Sequence, residues 1–194
     1  MIGLDIDGVL ADFISPFVQF LEQHVGKGSI DPETITDLTF SNHPFLSERI
    51  VAECIQNVSN DPRFWQGLAP LASAEQWRLL DSLSRRQKLV FVTHRYERES
   101  YSIREVTCDW LKEQGVSEPV VYLTQSYKSE LIRKLNVKLF VDDRHENCRD
   151  VAENTEAVVF MPHRIYNQSF AHPRVQRIQD LAELFIYLDR HGAW

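Results

Sequence analysis

The chain has 194 residues, 43% of them hydrophobic and 25% charged, which suits one globular domain or one domain carrying an insertion. Its net charge is -7, from 21 basic and 28 acidic residues, so a global basic footprint for a nucleic-acid polymer is absent. Cys54, Cys108 and Cys148 form no CxxC pair and fit reduced thiols in a cytoplasmic protein. No run of about 18 apolar residues is present to span a membrane. Met1 leads straight into strand and motif, so no signal peptide is expected.

In chain order, Ile2–Ile6 is the first of several short apolar runs that read as buried strands. A helix is expected after Leu10, then a loop over residues 26–32 and a helical segment from Phe45 to Val58. Trp77, Leu80 and Leu83 predict a helix over Ser73–Arg86, and Leu89–Thr93 reads as the second strand. The helix predicted over Arg98–Gln114 carries Ile103, Val106, Trp110 and Leu111, and Gly115 stops it. Strands at Val120–Leu123, Leu139–Val141 and Ala157–Met161 alternate with helices at Ser126–Leu135 and Glu146–Asn154. The stretch after Met161 reads as a loop leading to a last helix, Ala182–Leu188, and its histidines lack metal-ligand spacing. Apolar runs of this kind suit strands covered on both faces, and their alternation with helices indicates an α/β fold with a parallel sheet. Residues 8–88 are far more than one crossover needs and predict a small, mostly helical subdomain inserted after the first strand.

The chemistry concentrates where the apolar runs end. "LDIDGVLADF" places Asp5 and Asp7 at the end of the first strand, and Gly8 permits a tight turn after them. Ligands in open α/β sheets bind outside the carboxyl ends of strands. Two acids there repel unless a proton or cation intervenes, and Mg²⁺ prefers such oxygen ligands. "KLFVDDRHEN" puts Asp142 and Asp143 at another strand end, so both acidic pairs can converge on one metal. A third strand end is Thr93, followed by His94 and Arg95; a hydroxyl, backbone N–H groups and a guanidinium make an anion site. Lys128, at the start of the helix before the acidic strand, can neutralise a carboxylate and a phosphate, and its position favours it over Lys134 and Lys138.

The order Asp5-x-Asp7-Gly8-Val9, Thr93, Lys128, Asp142-Asp143 resembles the four signature motifs of the haloacid dehalogenase-like phosphatase superfamily, across nearly the whole chain. "DIDGVLADF" and "RFWQGLAPLASAEQ" are similar to the 5'(3')-deoxyribonucleotidases. The resemblance implies a Rossmann-like core over residues 1–13 and 76–194 and a helical cap over 14–75. It implies Asp5 as nucleophile, Asp7 as general acid and base, and Thr93 and Lys128 as holders of the phosphoryl oxygens. Mg²⁺ would be held by Asp5, the Asp7 carbonyl and Asp142, with Asp143 ordering metal waters or Lys128. One departure is Thr93-His94-Arg95, where the superfamily commonly has Thr-Ser.

Phe13, Phe40, Phe45, Phe64 and Trp65 fall in or beside the insertion, and the resemblance puts Phe13 and Trp65 in a base pocket. Arg63, His94 and Arg95 are polar candidates at its entrance. The expected activity is Mg²⁺-dependent hydrolysis of nucleoside monophosphates. The alternatives are a phosphatase of another small ester or of a nucleic-acid 3' phosphate, and a non-catalytic binding protein on the same fold.

Overall fold

The computed structural model describes residues 1–28, 30–40, 43–44 and 46–192. It builds an α/β fold around one parallel sheet. In chain order the elements are β1 (Ile2–Leu4), β2 (Ala11–Asp12), α1 (Ile14–Val25), α2 (Glu48–Ser59), α3 (Pro62–Gln66), β3 (Ala69–Pro70), α4 (Ala74–Arg85) and β4 (Leu89–Thr93). Then come α5 (Ile103–Glu113), β5 (Val121–Leu123), α6 (Lys128–Lys134), β6 (Leu139–Val141), α7 (His145–Asn154), β7 (Val158–Pro162), β8 (Val175–Ile178) and α8 (Leu181–Arg190).

The sheet has six strands in the order β5-β4-β1-β6-β7-β8, and every neighbouring pair runs parallel. β1 is central because its three residues, Ile2, Gly3 and Leu4, are buried and pair with β4 on one side and β6 on the other. Consequently β4, β1 and β6 end side by side on one edge.

Three features depart from the expected elements. β8 lies where a loop was expected. Its Val175, Gln176 and Arg177 remain partly exposed on the sheet's outer edge, so it lacks the apolar run of a buried strand. The short antiparallel pair of β2 and β3 is too brief to leave a periodic signal. The fifth helix begins at Ile103 rather than Arg98. Ser102 caps it, its hydroxyl accepting from Glu105 N at 3.3 Å, and the Glu97 carboxylate accepts from Ile103 N at 2.9 Å.

Helices α1 and α2 bury an apolar cluster of their own, including Phe17, Leu21, Phe40, Val51, Cys54 and Val58. α2 starts at Glu48, where Ser47 caps Ile50 N at 3.3 Å. Phe45 lies outside the described residues. Trp65, Leu68 and Ala72, although within the expected insertion, pack into the cluster beside the sheet, and Phe13 and Phe64 touch both clusters. No helix among the described residues is long and apolar enough to cross a membrane.

Candidate active site

Asp5 follows β1 directly, and its N–H still reaches the Val141 carbonyl at 2.9 Å, so the parallel ladder carries it to the sheet edge. Asp142 and Asp143 leave the neighbouring β6, and Thr93 closes β4 on the other side. The turn after Asp7 uses Gly8 with φ of 76°, in the left-handed region. A β-carbon there would lie 2.0 Å from Asp143 Oδ2, so both the turn and the close approach of the two acidic motifs require glycine.

Asp5, Asp142 and Asp143 are buried and bring carboxylate oxygens within 4.8 Å of one another. Lys128, fully buried, sets its Nζ 3.0 Å from Asp5 Oδ1 and 2.6 Å from Asp142 Oδ2, and donates to the Val92 carbonyl at 3.0 Å. The contact to Asp5 is an ion pair. Both Asp142 oxygens are further engaged: Oδ1 accepts from Arg144 N at 2.9 Å, and Asn147 Nδ2 reaches each oxygen at 3.1 Å. Asp143 differs. Tyr166 donates its hydroxyl to Oδ2, while Oδ1 is buried with no hydrogen-bond partner among the described residues.

The electrostatics follow from this crowding. Burial pushes the Asp5 carboxyl well above its usual range; Lys128 opposes the rise, and Asp142, Asp143 and Asp7 add to it. Burial and then the Asp142 charge push Asp143 upward as well. Burial works against the Lys128 charge, yet Asp142 and Asp5 outweigh it and hold the ammonium above its ordinary value. Three buried carboxylates thus share one ammonium, a surplus of negative charge that a hard cation would relieve.

Asp7 points elsewhere. Its carboxylate receives a two-pronged contact from Arg95, Nε to Oδ2 at 2.9 Å and Nη2 to Oδ1 at 2.6 Å. Arg95 is buried, donates to Thr107 Oγ1 at 3.0 Å and lies over the Trp65 ring at 4.6 Å. The guanidinium expected to meet a phosphate is therefore engaged with Asp7. His94 is half-buried beside the Ser126 carbonyl at 3.2 Å, and burial followed by the Lys128 charge lowers its pKa.

A cleft of about 580 Å³ opens over this edge. Its lining combines the polar Asp5, Asp7, Thr93, His94, Arg95 and Asp143 with the apolar Phe13, Phe17, Leu38, Phe40, Ile55 and Trp65. Phe13 stacks on Trp65 with ring centroids 5.9 Å apart. Arg63 does not line the cleft and instead pairs with Asp61 at the surface, at 3.1 Å. Asn147 and Tyr166 were missed by sequence reasoning. Asn147 had a weak signal in its place one turn after the acidic pair; Tyr166 had none, because its partner lies 23 residues away.

The family model described as 5' nucleotidase, deoxy (pyrimidine), cytosolic type C matches residues 1–190. The Halalkalibacterium halodurans protein named "Putative nucleotidase BH1399" is 22% identical over 188 residues, covering 96% of this chain and 91% of that protein. "Putative nucleotidase YqfW" of Bacillus subtilis is 22% identical over 191 residues, covering 98% and 94%. Among solved structures, a HAD-superfamily hydrolase of subfamily IA from Geobacter sulfurreducens superposes with a TM-score of 0.55 at 16% identity, covering 96% of this chain and 98% of that one. Another HAD-superfamily hydrolase, from Ehrlichia chaffeensis, gives 0.53 at 13% identity, covering 97% and 95%. These structural likenesses establish the haloacid dehalogenase-like fold. The sequence match spans nearly the entire chain, both acidic motifs included, and the chain therefore belongs to the cytosolic type C 5'-nucleotidase family, deoxy (pyrimidine), as a phosphatase.

Proposed function

We propose that the protein hydrolyses nucleoside 5'-monophosphates, pyrimidine deoxyribonucleotides first among them, in two steps through Asp5 with Mg²⁺ as cofactor. The observation that carries this reading is one cleft whose lining holds both the carboxylates with Thr93 and a set of aromatic side chains. Its volume of about 580 Å³ falls in the range of small-molecule sites. A phosphomonoester bearing a flat apolar group matches both kinds of lining.

The residues fit a hard cation. The donor set is all oxygen, and Asp143 Oδ1 is buried without a hydrogen-bond partner among the described residues. Asp142 was expected to complete the metal site, but its oxygens are already engaged by Lys128, Asn147 and Arg144 N. The geometry favours Asp5 and Asp143 as ligands, with Asp142 holding Lys128, and the family resemblance adds the Asp7 carbonyl. When bound, Mg²⁺ would screen the carboxylates from the incoming phosphate and polarise a phosphoryl oxygen.

In the first step an Asp5 oxygen attacks phosphorus, the bond to the nucleoside 5' oxygen breaks, and Asp7 gives that oxygen its proton. In the second, Asp7 takes a proton from water, the water oxygen attacks phosphorus, and phosphate leaves Asp5. Lys128 offsets charge on Asp5, and Thr93 is placed to hold a phosphoryl oxygen. Arg95 orients Asp7 rather than the phosphate. Phe13, backed by the buried Trp65, forms the wall on which the base stacks, and residues 14–75 act as the cap beside it. The free cysteines Cys54, Cys108 and Cys148 suit a cytoplasmic enzyme.

A phosphate-release screen over deoxyribonucleotides, ribonucleotides, sugar phosphates and an aryl phosphate, with and without Mg²⁺, tests this. Turnover of nucleoside monophosphates above sugar phosphates, only with the metal, is expected. Preference for sugar phosphates overturns the nucleotide assignment.

A further inference from the structure

We propose that Tyr166 is a positioning residue for the metal site: its hydroxyl holds one oxygen of Asp143 so that the other is presented to the cation. The proposal rests on the Mg²⁺ reading above.

The two Asp143 oxygens have opposite surroundings. Oδ2 accepts the Tyr166 hydroxyl, whereas Oδ1 is buried and accepts nothing among the described residues. A buried acceptor without a partner destabilises the fold, and a ligand can offset that cost. A carboxylate tethered through one oxygen can present its other oxygen in only a narrow range of directions. Residues of this kind behind a metal ligand set affinity without touching the metal.

Tyr166 is itself firmly placed. It sits in a tight helical turn, Ile165–Asn167, just after β7. The buried Asn167 side chain donates to the Asp143 carbonyl at 2.8 Å and to the Pro162 carbonyl at 3.0 Å. Its Oδ1 accepts from Arg164 N at 3.0 Å and from Arg177 Nη1 at 2.7 Å. Arg177 belongs to the edge strand β8 and also donates to the Asn167 carbonyl at 2.9 Å. Arg164 Nε donates to the Gly8 carbonyl at 2.9 Å. One turn is thereby tied to the main chain of both acidic motifs. The packing leaves no slack, since a β-carbon on Gly8 would lie 2.0 Å from Asp143 Oδ2 and 2.7 Å from the Tyr166 hydroxyl.

A competing role exists because Tyr166 also lines the cleft, where its hydroxyl could serve the substrate. The two roles separate in a titration without substrate. Tyr166→Phe deletes the hydroxyl and keeps the ring. Calorimetric titration with Mg²⁺ alone should show a dissociation constant raised about 10–100-fold over wild type. The metal-free thermal midpoint should stay near that of wild type, and kcat should recover at saturating Mg²⁺. Asp143→Asn is the reference for losing the ligand itself. Unchanged Mg²⁺ affinity overturns the proposal and leaves the metal reading standing, whether the variant shows a raised KM or a lowered midpoint. A wild-type protein that hydrolyses substrate yet binds no Mg²⁺ overturns both.

Discussion

Lys128 and Asp142 form a fully buried ion pair at 2.6 Å, and the same ammonium stands 3.0 Å from Asp5. One cation from the start of α6 thus joins two neighbouring strand ends that would otherwise repel. Removing one partner of a buried pair leaves an uncompensated charge, at a cost of about 3–5 kcal/mol. Lys128→Ala should lose stability on that scale in a denaturant titration and lose turnover with it. Because instability alone could lower turnover, the decisive measurement is specific activity under conditions where the variant is shown to be folded. Wild-type turnover there would remove Lys128 from the chemistry.

Asp5→Asn should keep the fold and abolish the attack on phosphorus. The substitution also removes one of three crowded buried carboxylates, so the metal-free protein should not be destabilised. We expect turnover to fall by several orders of magnitude with a thermal midpoint at or above that of wild type. Normal turnover would assign the nucleophile elsewhere.

Mg²⁺ should bind the native protein and not the unfolded chain, so it should raise the thermal midpoint as well as permit turnover. Chelation with EDTA should reverse both, and added Mg²⁺ should restore them. Full activity after exhaustive chelation would exclude a metal-dependent step.

Asp7→Asn should slow a nucleoside monophosphate strongly, because its 5' oxygen is a poor leaving group. An activated aryl phosphate leaves without protonation and should be affected less. Arg95→Lys keeps a positive charge but loses the planar fork that holds both Asp7 oxygens, and should show the same split in milder form. Comparison of kcat for the two substrates in each variant reads this directly; an equal loss on both would detach Asp7 from the leaving group.

Phe13 and Trp65 should separate stacking from packing. Trp65 is 7% exposed within the cluster beside the sheet, so Trp65→Ala should cost about 3–5 kcal/mol of stability. Phe13 is only partly buried where it lines the cleft. Phe13→Ala should weaken kcat/KM for a nucleotide more than for an aryl phosphate, with a smaller stability loss than Trp65→Ala. Equal loss on both substrates would make Phe13 a packing residue.

The edge strand and the site show what the sequence could convey. β4, β1, β6 and β7 were legible because strands covered on both faces must be apolar run after run. β8 was not, because an edge strand keeps polar residues such as Gln176 and Arg177, and its pattern then resembles a loop. Similarly, α4 was legible through Trp77, Leu80 and Leu83, and the structure adds a capping box of Ser73 with Gln76 at its start. The start of α5 was misplaced by a few residues, since Glu97 and Ser102 cap it from outside any hydrophobic period.

The sequence by itself determined the parallel sheet and put forward Asp5, Asp7, Thr93, Lys128, Asp142 and Asp143 as site candidates, because strand ends and acidic motifs are local along the chain. Only the tertiary structure decided how the charges pair. Arg95 meets Asp7 across 88 residues, and Tyr166 meets Asp143 across 23. The unequal satisfaction of Asp142 and Asp143, adjacent and chemically identical, arises from the same source. Their oxygens face opposite neighbours, Lys128 and Asn147 on one side and Tyr166 on the other. Hydrogen bonding depends on distance and direction in space, and folding brings together donors and acceptors whose separation along the chain carries no pattern.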